Sequence, residues 1–121
     1  MAVILIIDDS PTELHLFQNM LEKNGFVTLV ADSGEEGLKH ARSSRPDCVL
    51  MDVVMPGMNG FQATRKLTQD PDTAGIPVIM ITSKDQETDK IWGMRQGAVE
   101  YLVKPVSEQE LVAKINAVMA G

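Results

Sequence analysis

Asp8 and Asp9, Asp52, Thr82 and Lys104 each stand where an apolar run of the sequence stops. A carboxylate at the end of a buried strand is costly to desolvate, so it needs a cation, a donor or a chemical task. Taken singly, each has an ordinary explanation. Asp52 could be a loop carboxylate or a helix cap, Asp9 and Thr82 helix-start residues, Lys104 a solvated surface charge. Taken together they form a set. Three carboxylates gathered in one place repel one another, and one would protonate without a counter-charge. A divalent cation removes that conflict, and an oxygen-only ligand set suits Mg2+, which takes one or two carboxylates plus a phosphate oxygen. Lys104 adds a fixed cation and Thr82 a hydroxyl donor. Such a site is equipped to pass a phosphoryl group to Asp52, with metal and lysine neutralising the charge that develops, and to let water remove it afterwards.

That chemistry requires a fold that gathers the five residues. Apolar or β-rich runs at residues 2–7, 26–30, 47–51, 76–81 and 99–103 read as strands, and the near-continuous apolar character of the first and fourth suggests cover on both faces. Helical stretches separate them. Ser10-Pro11-Thr12-Glu13 predicts a capping box with proline at the first helical position, then a stripe of Leu14, Phe17 and Leu21 that Gly25 ends. Ser33-Gly34-Glu35-Glu36 predicts a second box, and that helix ends near Ser43-Ser44. A third helix, residues 61–69, has a weak stripe of Phe61, Ala63 and Leu67. A polar fourth, residues 85–96, has only Ile91, Trp92 and Met94 as apolar anchors. The last is capped by Ser107 and carries Leu111, Ile115 and Val118. Five strand–helix alternations with short connections argue for one parallel sheet with helices on both faces. In such a sheet all carboxyl ends share one edge, where ligands bind at the switch in strand order.

The totals narrow the class. The 121 residues suffice for one domain, spanning 1–121, with a self-sufficient core. A net charge of −6 argues against nucleic acid and against an anionic membrane surface. No apolar run approaches the roughly 20 residues that span a bilayer. A single cysteine, Cys48, lies in an apolar strand and reads as a buried hydrophobe in a reducing cytoplasm. His15 and His40 fall on helix surfaces and are assigned no metal.

Asp8-Asp9, Asp52, Thr82 and Lys104-Pro105 on a five-fold βα alternation resemble the receiver domain of two-component response regulators, of which CheY is the familiar stand-alone member. The resemblance runs the whole length of the chain. It implies a flavodoxin-like (βα)5 sheet of order 2-1-3-4-5. By the same resemblance Asp52 is the phospho-acceptor. Asp9, Asp52 and the backbone carbonyl of Val54 are magnesium ligands, with Asp8 contributing through water. Thr82 is the switch hydroxyl, Lys104 the phosphoryl-contacting lysine with a cis bond to Pro105, and Tyr101 the aromatic that swings inward as Thr82 moves. The face made by the fourth helix, fifth strand and fifth helix then changes shape for a protein partner. The donor implied is a CheA-like histidine kinase, the chain a cytoplasmic monomer and no enzyme beyond promoting its own phosphorylation and dephosphorylation. Val54 and Lys84 stand at positions where the family varies, and Lys84 is expected to approach the phosphoryl group. In finer wording, residues 8–13, 84–97 and 115–121 resemble PilH-type regulators of type IV pilus twitching motility.

Two other readings share parts of the pattern. A flavodoxin-type FMN binder needs a phosphate-cradling loop where Asp8-Asp9 stand. A haloacid-dehalogenase-type phosphatase needs a second Asp two residues after the nucleophile, where Val54 stands.

Overall fold

Val3–Ile7 forms the first strand, β1, in a computed structural model that describes residues 1–120. Gly121, the last residue of the PilH-like ending, lies outside the described residues. The chain continues through α1 (Pro11–Lys23), β2 (Val27–Ala31), α2 (Gly34–Ser44), β3 (Cys48–Met51), α3 (Gly60–Gln69), β4 (Val78–Thr82), α4 (Glu87–Arg95), β5 (Glu100–Val103) and α5 (Glu108–Ala120). The five strands make one sheet of order β2-β1-β3-β4-β5, and every pairing is parallel. This is the flavodoxin-like order the resemblance implies.

The register sets the strand ends level. Ile7 lies opposite both Ala31 and Met51, and Thr82 lies opposite Val103. The next residues along, Asp8, Asp52 and Lys104, therefore leave the sheet at one edge. Chain order reverses direction between β1 and β3, which opens the crevice where such sheets bind ligands.

Strand alternation divides the core into two layers. Ile4, Ile6, Leu50 and Ile81 pack with Phe17 and Leu21 of α1 and Leu111 and Ile115 of α5. Leu5, Ile7, Val49 and Met51 pack on the other face with Leu38 and Ala41 of α2 and Ala63 and Leu67 of α3. Burying each large aliphatic side chain contributes about 1.5–3 kcal/mol. A third group, Val53, Met80 and Ala98, lies toward α4, with Phe61 and Tyr101 against it.

Three local expectations need correction. Ser10 Oγ accepts from the Glu13 N–H at 3.3 Å, but the box does not close, because the Ser10 N–H donates instead to Asp8 Oδ1 at 2.9 Å. At α2, Ser33 Oγ accepts from the Glu36 N–H, while Glu36 turns outward to Lys39 at 3.5 Å. A full box forms at α3 instead, between Asn59 and Gln62. Finally, Ile91, Trp92 and Met94 do not anchor α4: they are 47, 47 and 46 % exposed. The helix rests on the sheet through Gly93, where any side chain would collide with Met80 Sδ and the Tyr101 ring.

Candidate functional site

Asp52 follows β3 and extends its ladder by one bond, its N–H donating to the Ile7 carbonyl at 2.9 Å. The residue is only 8 % exposed, and Oδ1 accepts from the Val53 N–H at 2.8 Å. The loop that follows folds back so closely that a Cβ at Gly60 would overlap the Asp52 carbonyl oxygen. Glycine is required there for α3 to start over the acidic residue.

Asp8 is fixed on three sides. Its N–H donates to the Ala31 carbonyl, Oδ1 accepts from Ser10, and Oδ2 takes the Lys104 ammonium at 3.0 Å. Asp9 is exposed. Asp8, Asp9 and Asp52 each offer an oxygen within 4.8 Å of the others. Three hard oxygen donors at that spacing, two on buried residues and one open to solvent, fit a small divalent cation that keeps part of its water shell.

Lys104 reaches this cluster from the end of β5. Its N–H donates to the Thr82 carbonyl at 2.9 Å, and the bond to Pro105 is cis. The ammonium lies 3.0 Å from Asp8, 3.3 Å from Glu13 and 3.9 Å from Asp52, with the Phe17 ring centroid 6.0 Å away. Burial alone would lower its pKa. The Asp8 hydrogen bond and the charges of Asp52, Asp8 and Glu13 outweigh that and raise it. For Asp52 the balance runs the other way. Burial, then the charge of Asp8, pushes its carboxyl up to about 6 against the pull of Lys104 and the N–H groups of Val53 and Val54. One ammonium does not satisfy this many carboxylates.

Thr82 is fully buried at the end of β4, and its hydroxyl accepts from the Lys84 N–H at 3.3 Å. Tyr101 donates from its hydroxyl to the Lys84 carbonyl at 2.9 Å. The Lys84 backbone thus joins the two residues expected to act as a switch, and the Tyr101 ring already packs inward beside Val53 and Met80. The Lys84 ammonium lies 3.7 Å from Asp89 of α4. Val54 is 56 % exposed and sends its N–H toward Asp52.

The structure therefore brings Asp8, Asp9, Asp52 and Lys104 together and seats Thr82 and Tyr101 at the adjoining strand ends. Sequence reasoning missed Glu13 and Phe17 as neighbours of Lys104. The signal available was position, since both follow Asp9 within the first two turns of a helix that starts at the site. They also line a cleft of about 320 Å3 with Leu16, Pro105 and Val106. Cys48 is buried with its thiol pushed up to about 12 by burial, which leaves it inert. His15 is exposed and His40 half-buried, and neither belongs to the acidic cluster. Among the described residues no helix is long and apolar enough to cross a membrane.

Comparison with known proteins places these features in company. Residues 4–116 match the family model described as the response regulator receiver domain. Protein PilH of Pseudomonas aeruginosa is 61 % identical over 121 residues, covering all of both chains. The Bacillus subtilis transcriptional regulatory protein PhoP is 36 % identical over 96 % of this chain, which spans only 48 % of that longer protein. Among solved structures, the Vibrio cholerae chemotaxis protein CheY4 superposes with a TM-score of 0.92 at 30 % identity, covering 98 % of each chain. The receiver domain of a Pseudomonas aeruginosa sensor histidine kinase, solved with a magnesium ion coordinated in its active site cleft, gives a TM-score of 0.92 at 25 % identity over 99 % of this chain and 98 % of its own.

Proposed function

The chain belongs to the response regulator receiver domain family, and from that membership we propose that Asp52 is the residue that accepts the phosphoryl group. Receiver domains of this CheY-like kind accept phosphate from a cognate histidine kinase. The observation that carries the assignment is the position of Asp52 beside both Lys104, at 3.9 Å, and the carboxylates of Asp8 and Asp9.

An Asp52 carboxylate oxygen attacks the phosphorus of the donor. The P–N bond to the kinase histidine breaks, its electron pair stays on the imidazole nitrogen, and an acyl phosphate forms on Asp52. In the return step a water oxygen attacks phosphorus, inorganic phosphate departs and the carboxylate is restored. Lys104, already within the site, turns its ammonium to the phosphoryl oxygens. Asp9, Asp52 and the carbonyl of Val54 would hold Mg2+, with Asp8 acting through water. Bound there, the ion would supply positive charge to the phosphoryl oxygens and relieve the repulsion between the carboxylates.

Thr82, whose hydroxyl accepts from the Lys84 N–H, then turns to donate to a phosphoryl oxygen. Because Tyr101 is tied to the carbonyl of that same residue, the change reaches α4 and β5 through Lys84. The outcome is an altered surface on α4, β5 and α5, where Ile91, Trp92 and Met94 stand exposed. A protein partner, rather than nucleic acid, suits a chain of net charge −6. In this reading the chain acts as a cytoplasmic monomer served by a CheA-like kinase, and the PilH-type resemblance supports a role in chemotaxis-like control of type IV pilus twitching.

Mass spectrometry after incubation with Mg2+ and acetyl phosphate tests the assignment. Wild type gains one phosphoryl group and Asp52→Asn gains none. Equal labelling of the two would move the acceptor elsewhere. Loss of twitching control on deletion, restored by wild type and not by Asp52→Asn, tests the pathway.

A further inference from the structure

Lys104 is held by a carboxylate outside the acidic cluster. Glu13, in the first turn of α1, places Oε1 3.3 Å from the Lys104 ammonium, closer than Asp52 at 3.9 Å. Among the described residues that ammonium is the only partner of the Glu13 carboxylate. The arrangement has a local cause. A glutamate three residues after a Ser cap ordinarily turns back to the cap N–H. Here Asp8 has taken the Ser10 N–H, so Glu13 is left to reach across to β5.

We propose that Glu13 is a positioning residue that holds Lys104 on the α1 side of the cleft and competes with the incoming phosphoryl group for its ammonium. The inference rests on the assignment of Asp52 as acceptor. A cation bound by Asp9 and Asp52 offsets the negative charge on that side of Lys104. Glu13 is not part of the three-carboxylate group, so a cation held there does not pair with it. Together with Asp8 at 3.0 Å, it opposes the transfer of Lys104 to a phosphoryl oxygen. Its charge also lies on the wall of the cleft that Lys104 shares with Phe17 and Val106. Both effects slow phosphorylation by a small, highly charged donor.

The test measures phosphorylation rate constants of the full chain at saturating Mg2+ by quenched flow and mass spectrometry. Acetyl phosphate is compared with phosphoramidate, which carries less net negative charge near neutral pH. Glu13→Gln is expected to react with acetyl phosphate about 3- to 10-fold faster than wild type, the size of one partly solvated charge a few ångströms away. The gain shrinks with added salt and is smaller with phosphoramidate. Glu13→Asp, one methylene shorter with its charge kept, falls between the two. Rates for Glu13→Gln equal to or below wild type overturn the proposal, as does a gain indifferent to salt and donor. A wild-type chain that takes no phosphate from either donor would instead strike at the assignment of Asp52, and the same wild-type runs read that outcome directly.

Discussion

Lys104 and Asp8 meet at 3.0 Å across 96 positions of sequence, so the ends of β5 and β1 are joined by a nearly buried ion pair. The side chains are 17 and 3 % exposed, which leaves little water to replace a missing partner. Lys104→Met should therefore cost about 1–4 kcal/mol of stability in metal-free protein, toward the lower end because Lys104 is partly solvated. Asp8→Asn in the same chain should recover part of that loss. Urea denaturation of the two single variants and the double variant measures it, and a Lys104→Met chain as stable as wild type would contradict the pairing.

Asp52 gives a pH dependence opposite to that of most paired carboxylates. Its folded-state pKa of about 6 lies above the ordinary 3.8, chiefly through burial and then through Asp8. Between those values the folded chain keeps a proton that the unfolded chain has released, so stability falls as pH rises through this window. Above it the full penalty remains, about 3 kcal/mol at 1.36 kcal/mol per pKa unit. In the presence of a chelator, Asp52→Asn should be more stable than wild type by about 1–3 kcal/mol at about pH 7.5, and the gap should narrow at about pH 5. Mg2+ should raise the Tm of wild type more than that of Asp52→Asn. A variant no more stable than wild type at the higher pH would show that Asp52 ionises there without cost.

Gly60→Ala tests the close passage of the loop over Asp52. The added methyl has nowhere to go, since the atoms it meets are the backbone of Asp52 and Val53 rather than a movable side chain. A loss of about 2–4 kcal/mol is expected, as for overpacking that must shift main chain. Acetyl phosphate labelling should fall with it, because the carboxylate proposed as acceptor moves. A stable, fully labelled Gly60→Ala would show that the loop has slack.

The strands and the edge they share were legible because a parallel sheet covered on both faces leaves nearly continuous apolar runs, such as those ending at Ile7 and Ile81. Their polar terminators then marked the site. Side-chain direction was not legible. The Ser10–Glu13 spacing is that of a capping box, and only the three-dimensional competition with Asp8 for the Ser10 N–H sends Glu13 to Lys104. Likewise, Ile91, Trp92 and Met94 look like anchors in a helix with few apolar residues. A glycine, Gly93, makes the close contact with Met80 and Tyr101 and leaves the larger residues outside. Lys84 sits beside the site in sequence, yet Asp89, in the first turn of α4, draws its ammonium away.

Tyr101 is the only tyrosine in the chain, which makes its ionisation directly observable. Burial, then the charges of Asp89, Asp85 and Asp52, push its phenol up to about 12 from an ordinary 10. Above pH 10 the unfolded chain releases this proton while the folded chain holds it, so stability drops as pH rises from there. Tyr101→Phe removes that sensitivity. It also removes the hydroxyl's bond to the Lys84 carbonyl, at a cost of about 0.5–1.5 kcal/mol near neutral pH. Wild type should therefore be the more stable of the two at neutral pH, with the difference shrinking above about pH 10. Phenolate absorbance should rise only together with loss of the folded circular dichroism signal. Ionisation near pH 10 in a chain that is still folded would mean that the hydroxyl stands in water and not on Lys84.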